Sequence, residues 1–371
     1  MIPGKRYPMP DHFIKKILLD ENTSGHPYAR AILKRLAGTP VRKIHMDKEK
    51  RYSAETGMGK DTLHLLNYQG DFLKPCPGTR NYICCGYQIL NLATNCPLNC
   101  SYCILQAYFN RPNLNIFINF NEKLIEILKD IDSTPDRIFR IGTGEFTDSL
   151  ALDPVTGLSE YLLPLFSTRK NAVLELKTKT DRVGKLLTSG YRDRIVVSWS
   201  LNSPYICSRE EHGAASLKQR LEAARICQEE GFVLAFHFDP IIHHDNWREG
   251  YLRTIELMDA RIKPEGIIWI SLGAFRFMPE LKSLIRKRHP DTCVLDGEFI
   301  VGLDGKMRYF KPIRLEFYSY MRENLEKWHK NPGLYLCMES DDIWSKTMGW
   351  SPGTSTGLSR FLDARVREIF Q

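Results

Sequence analysis

Asn95-Cys96-Pro97-Leu98-Asn99-Cys100-Ser101-Tyr102-Cys103 sets three cysteines at the spacing C-x3-C-x2-C. Three thiolates this close along the chain cannot all pair as disulfides. They can converge on one face of a four-iron cluster and leave the fourth iron without a protein ligand. An open iron is where a small chelating molecule binds. A zinc knuckle or three buried thiols are the rival readings of the same residues. Zinc usually takes four ligands in a closed tetrahedron, typically from two C-x2-4-C pairs, so the cluster reading is the stronger one.

Downstream of Tyr87, short apolar stretches alternate with amphipathic ones, the mark of a parallel α/β layout. Strands are expected near 87–93, 137–142, 172–177, 194–200, 233–239 and 266–272. Helices are expected near 101–109, 121–131, 157–166, 180–188, 216–230, 248–260 and 279–287. Six βα units fit a partial (β/α)6 barrel of the TIM type, in which chemistry gathers at the C-terminal ends of the strands. After residue 290 the alternation stops. Residues 294–313 then read as a hairpin turning at Asp304-Gly305, followed by helices near 315–328 and 357–370.

Upstream, residues 11–38 carry apolar positions at helical spacing, broken by Gly25-His26-Pro27 into two expected helices. Pro40 to Ile44 reads as a short strand, and residues 45–75 as polar and irregular. The expected division is a basic, helical N-terminal extension over 1–75, the barrel over 76–290, and the hairpin and helices over 291–371.

The chain has 371 residues, 43% of them hydrophobic and 26% charged, an ordinary globular composition. No apolar run is long enough for a membrane span, and Met1 to Arg6 lacks the apolar core of a signal peptide. A cytoplasmic protein is expected. Ten cysteines in a reducing compartment argue for metal binding or catalysis instead of a disulfide frame. Of the net charge of +8, residues 1–60 carry 13 Lys/Arg against 6 Asp/Glu. A basic face suits a polyanion, and a solvated surface helix would carry the same bias. The hairpin arm from Lys306 through Arg308 and Lys311 to Arg314, interleaved with Tyr309 and Phe310, suits phosphates and bases. It equally suits an edge strand blunted by charge.

With Tyr102 directly before Cys103, the cysteine stretch resembles the motif of radical S-adenosylmethionine (SAM) enzymes. That resemblance implies a [4Fe-4S] cluster on Cys96, Cys100 and Cys103, with SAM on the open iron and Tyr102 near its adenine. Ile141-Gly142-Thr143-Gly144-Glu145-Phe146-Thr147-Asp148 ends the second strand. Its glycines let backbone approach a ligand closely. Gly144-Glu145 looks like the Gly-Gly-Glu element that holds the SAM amino group, and Thr147 stands beside it. Lys177 and Lys179 end the third strand, and a lysine there can bind the SAM carboxylate as a point charge. Ser200 and Asn202 follow the fourth and offer polar groups for ribose or carboxylate. His237, Asp239, His243 and His244 close the fifth strand, and Asp239 is the candidate for contact with substrate or proton transfer. The histidines can equally be loop residues. Cys76, Cys84 and Cys85, with Cys337, could hold an auxiliary iron–sulfur cluster. Buried inert thiols are the alternative, with Cys337 as a thiol that quenches a radical.

Over residues ~75–320 the order and spacing of elements resemble the spore photoproduct lyase family of radical SAM proteins. The shared features are the cysteine stretch with Leu105-Gln106, Thr147-Asp148, Lys179, Ser200-Leu201-Asn202, Pro240-Ile241, Trp247-Arg248-Glu249-Gly250-Tyr251 and the late basic hairpin. The resemblance implies splitting of a thymine dimer in DNA by a 5′-deoxyadenosyl radical, with a cysteine returning the hydrogen. It also implies an electron donor such as flavodoxin or ferredoxin. Two positions depart from the family. Aligned on Thr147-Asp148, the donor cysteine is Glu145 here, and the tyrosine after the third cluster cysteine is Ile104. A paralogue is expected, acting on a DNA pyrimidine lesion. A small-molecule or peptide substrate is the alternative, as is an iron–sulfur protein that binds nucleic acid without turnover.

Overall fold

The computed structural model describes residues 13–45, 59–109 and 112–370. Its strands, in chain order, are β1 (Lys16–Asp20), β2 (Val41–Ile44), β3 (Thr62–Leu66), β4 (Leu73–Pro75), β5 (Gln88–Leu90), β6 (Ala93–Thr94), β7 (Asn99–Cys100), β8 (Leu114–Phe117) and β9 (Phe139–Gly142). They continue as β10 (Ala172–Thr178), β11 (Ile195–Ser200), β12 (Glu211–His212), β13 (Val233–Ile241), β14 (Ile267–Ala274), β15 (Arg276–Phe277), β16 (Phe299–Val301), β17 (Met307–Tyr309) and β18 (Leu334–Leu336).

The main sheet runs β18-β14-β13-β11-β10-β9-β5-β4. All its pairings are parallel except that of β4 with β5. Ile195-Val-Val-Ser-Trp-Ser is buried at every position, as parallel strands covered on both faces require. The six expected barrel strands are all present, joined by a seventh parallel strand, β18, too short for periodicity to reveal. Helices pack outside. The one at Leu217–Glu229 opens with a capping box between Ser216 and Gln219. The last, Ser355–Ile369, is pinned by Arg365, whose guanidinium donates to the carbonyls of Ile268 and Ile267 at 3.1 and 3.3 Å. No described helix is long and apolar enough to cross a membrane.

The N-terminal segment departs from expectation. The first of the two helices expected over 11–38 is strand β1, paired in parallel with β2 on one side and β3 on the other. An apolar run as short as Ile17-Leu18-Leu19 looks alike in a helix and in a buried strand, and here the neighbouring strands decide. Helix Pro27–Arg35 forms as expected, with His26 Nδ1 accepting from the Tyr28 amide at 3.2 Å. The irregular segment expected over 45–75 contains β3 and β4, and its residues 46–58 lie outside those described. The resulting sheet, β2-β1-β3-β8-β6, takes strands from both sides of residue 75.

The hairpin forms as β16-β17 with β15 added, and Gly305 turns it at φ +77°. Its cations, however, face inward. Arg308 donates to Asp304 at 2.7 Å and to the Met338 carbonyl at 3.0 Å, and lies 3.9 Å over the Tyr82 ring. Arg314 pairs with Glu339, Lys306 with Asp304 and Lys311 with Asp342. The hairpin exposes Ile300, Val301, Leu303 and Phe310, and of its four cations only Lys311 is well exposed. The expected row of solvent-facing cations is therefore corrected. Arg308 and Arg314 are buried and neutralised by carboxylates, because a buried charge needs a partner.

A polar column crosses the barrel interior. His237 Nε2 meets Glu175 Oε1 at 2.7 Å and its Nδ1 meets Ser271 Oγ at 2.7 Å, while Trp269 Nε1 donates to the same carboxylate at 3.3 Å. Burial alone would raise the Glu175 carboxyl, but His237 and Lys177 overcome it and hold it at about 2. A carboxyl held below its unfolded value stabilises the fold above pH ~4.5 and loses that contribution as pH falls toward ~2. Glu175→Gln should flatten the pH dependence of unfolding in that window and cost about 3 kcal/mol at neutral pH. Urea unfolding of both proteins at pH 7 and at pH ~3, inside that window, checks this, and an equal loss of stability for the two between these pH values would refute it.

Candidate active site

The cysteine loop lies over the C-terminal end of the barrel and is strapped to β12. Cys100 pairs with Glu211 in the short β7-β12 ladder. The Ser101 amide donates to the Glu210 carbonyl at 2.9 Å, and the Ser101 hydroxyl to the Glu210 carboxylate. Gln106 Nε2 donates to the Ser101 carbonyl at 2.8 Å. The helix expected over 101–109 is accordingly only Leu105–Tyr108, since residues 101–104 are held in the loop.

Cys100 is buried, while Cys96 and Cys103 are partly exposed. Burial pushes the Cys100 thiol up to about 12, with Glu211 adding to the push and Lys179 opposing it. Burial also raises Cys96, with Asp148 and the other two thiols adding to it. A bound cation reverses this, since metal ligation deprotonates thiols outright. Among the described residues no three His, Cys, Asp or Glu side chains converge tightly enough for a single metal ion. Three thiols with no fourth donor suit a cluster that keeps one iron open better than the closed four-ligand site of zinc. A second cluster on Cys76, Cys84 and Cys85 is without support. Cys76 is pushed up to about 12 by burial, as expected of an inert thiol.

Tyr102 is buried, and its hydroxyl donates to Glu211. Glu211 also accepts from Arg220 Nη2 at 2.5 Å and lies 3.9 Å from Lys179 Nζ. Burial alone would raise this carboxyl, yet Arg220 and Lys179 hold it at about 2. Arg220 is fully buried, donating also to the carbonyls of Ser200 and Ala215 at 2.9 Å each. Lys179 stands 5.8 Å from the Tyr102 ring centroid. Its backbone amide and the Thr178 hydroxyl both bind Asp148, at 2.8 and 2.7 Å.

The Gly142-to-Asp148 turn passes close to two neighbours. A Cβ on Gly142 would fall 1.6 Å from the Tyr87 hydroxyl, and one on Gly144 2.9 Å from Lys177 Cβ. Only glycine lets β9 run on into this turn. Glu145 then reaches Lys177 in an ion pair. Across the barrel mouth Arg276 grips both oxygens of Asp239 at 3.1 Å each, and its Nη2 lies 3.4 Å from Cys337 Sγ. Asp239 is held below its usual range by Arg276, against the pull of burial. Burial pushes Cys337 well up, so it is a thiol at neutral pH. Glu145, Lys177, Asp239, Arg276 and Cys337 thus line one rim, from β9 round to β18.

Not every expected site residue joins that rim. Asn202 is spent inside the fold, its amide donating to the Pro240 carbonyl at 2.9 Å and its Oδ1 accepting from Tyr251 at 2.5 Å. Ser200 is buried at the end of β11. Thr147 lines a small internal void of ≈ 20 Å³ with Leu92, Ile116 and Leu176, and its Oγ1 has no hydrogen-bond partner. Arg276, Arg220 and Glu211 were not anticipated. A cation inside the apolar stripe Leu217, Leu221, Ala224 was the available signal for Arg220, because such a residue must have a buried partner.

Spore photoproduct lyases from a Geobacillus species and from Bacillus subtilis are each 28% identical to this chain, over 240 and 211 residues. Those alignments cover 63% and 56% of this chain, and 68% and 61% of the relatives. The spore photoproduct lyase of Clostridium acetobutylicum is 21% identical over 342 residues, covering 88% of this chain and 97% of that one. A solved spore photoproduct lyase variant with bound AdoMet and dinucleoside spore photoproduct matches with TM-score 0.76 at 22% identity, over 88% of this chain and 98% of the other. That likeness confirms the fold as a partial barrel of the radical SAM type. Residues 84–327, well over half of the chain, match the family model for spore photoproduct lyase, and the chain belongs to that family.

Proposed function

We propose that this protein is a cytoplasmic radical SAM enzyme of the spore photoproduct lyase type that acts on a pyrimidine lesion in DNA. The observation that carries the reading is the three-cysteine loop strapped over the strand ends of a partial barrel, beside a rim of alternating charge. Cys96, Cys100 and Cys103 would hold a [4Fe-4S] cluster. Once bound, cluster and SAM supply a 5′-deoxyadenosyl radical that abstracts a substrate hydrogen. Reduction calls for an electron donor such as flavodoxin or ferredoxin.

Glu145 offers a carboxylate for the SAM amino group, and Gly144 lets backbone approach it. Lys179 offers a cation for the SAM carboxylate, while Ser200, Asn202 and Thr147 are turned into the fold and hold the strand ends behind it. Tyr102 fixes the loop through Glu211. With Glu145 standing where the family has its hydrogen-donor cysteine, Cys337 takes that duty in this reading. Its S–H bond is intact at neutral pH, and Asp239 and Arg276 orient the sulfur. Transfer of its hydrogen atom to the product radical would leave a thiyl on Cys337, which one electron from the donor and one proton from water would return to the thiol. DNA would meet the basic residues of the N-terminal segment, including Lys43 on the edge strand β2. It would also meet the hairpin through its exposed Leu303 and Phe310, as apolar wedges that unstack bases.

Three outcomes test the reading. Cys100→Ala, reconstituted anaerobically, should lose both the visible absorbance of the cluster and SAM cleavage, and retention of both would sink the assignment. Cys337→Ala should still form 5′-deoxyadenosine but give at least about tenfold less repaired DNA, a loss of ~1.4 kcal/mol or more in the hydrogen-return step; unchanged repair yield would remove Cys337 from the reaction. Affinity for dimer-containing DNA should fall at least about tenfold between roughly 50 and 200 mM salt. A flat response would favour a small-molecule or peptide substrate.

A further inference from the structure

A second cavity, of ≈ 400 Å³, opens on the N-terminal side of the barrel mouth, between strands β3 and β8 and the Glu145-Phe146 turn. Its volume lies within the range of small-molecule sites. Two aromatic pairs form its walls. Tyr68 and Phe117 stack face to face, 4.2 Å between centroids and 12° between planes. Tyr108 and Phe146 stand 5.9 Å apart, and Tyr108 is 53% exposed. The polar lining includes Lys74, which donates to the Tyr68 hydroxyl at 2.9 Å. It also includes Asn91, at the end of β5. Asn91 is only 5% exposed, yet its Oδ1 has no hydrogen-bond partner.

A buried acceptor left unpaired costs on the order of 1–3 kcal/mol. The Asn91 side chain borders a cavity walled by aromatic rings, and turning its amide toward a ligand would give that oxygen a partner. Flat rings select a planar ligand by stacking, and a lone amide oxygen selects a donor on that ligand's edge. Asn is the side chain that pairs with the N6 amine and N7 of adenine, and base–aromatic stacking is a recurrent source of single-strand affinity. Lys74 adds a cation at the same opening.

We propose that this cavity takes one unstacked nucleobase bearing an exocyclic amine, with adenine the best fit, held by Tyr108 and Phe146 and read by Asn91. Glu145 and Phe146 are consecutive. Glu145 turns to Lys177, while Phe146 packs on Tyr108 and Phe109. The base site and the reaction rim are thus the two sides of one turn. The source of the base as a DNA strand rests on the function proposed above, whereas a free nucleotide would offer the same chemistry.

The test titrates the whole protein with labelled single-stranded oligo(dA) and oligo(dT), and separately with dAMP. Wild type should bind oligo(dA) at least about fivefold tighter than oligo(dT). Tyr108→Ala, at an exposed position, should weaken oligo(dA) binding roughly tenfold. Asn91→Leu should abolish the adenine preference while leaving the melting temperature equal or higher, since it removes an unpaired acceptor. Should Asn91→Leu fail to fold, Tyr108→Ala alone decides. Oligomer binding with no adenine preference, or with both variants unaffected, overturns the base site and leaves the DNA reading standing. Binding of dAMP that depends on Tyr108, without oligomer binding, upholds the base site and removes DNA as its source. No binding of either probe overturns the inference.

Discussion

One buried carboxylate carries the architecture of the reaction centre. Glu211 sits in the two-residue strand that pairs with the cysteine loop, and it gathers Arg220, Tyr102 and Lys179. Neither member of the Glu211–Arg220 pair has an exposed side chain. Desolvating two ions is expensive, and losing one partner of such a pair typically costs about 3–5 kcal/mol. Arg220 offsets its own burial through the backbone carbonyls of Ser200 and Ala215. The pair therefore fixes the height and tilt of the loop over the strand ends. It also fixes the sign of the field there, because Lys179 and Arg220 stand behind thiols that must become thiolates when metal binds.

Across the mouth, charges alternate. Glu145 meets Lys177, whose cation also faces Glu175 and Asp239, and Asp239 meets Arg276. A carboxylate at position 145 is tolerated because Lys177 neutralises it. Glu145 and Cys337 belong to the same rim, on opposite sides of it.

Much of this was legible in the chain. The six barrel strands were readable because parallel strands buried on both faces are near-continuous apolar runs, as in Ile267-Ile268-Trp269-Ile270. The cysteine loop and the Glu145 turn were readable because their chemistry demands fixed spacing. What escaped is instructive. Strand β1 was read as a helix because its three consecutive apolar residues carry too little period. Strands β3, β4 and β18 were too short to register. Arg308 and Arg314 were read as solvent-facing from composition. Their partners, Asp304 and Glu339, are identified only once the hairpin folds back. Arg276 lies two residues past a strand end, and its role exists only because Asp239 and Cys337 arrive from other strands.

The loop over residues 76–87 is tied down almost wholly from the far end of the chain. Ile83 bridges Glu339, the Cys84 amide donates to Ser355 Oγ at 3.0 Å, and Thr79 and Asn81 bind Asp304 and Leu303. During synthesis the chain emerges from its N-terminus, and domains begin to organise as they appear. The cysteine loop is therefore complete some two hundred residues before the straps that close this side of the barrel. For that interval the thiols stand beside an open wall. That side of the barrel closes only once residues 303–355 have arrived.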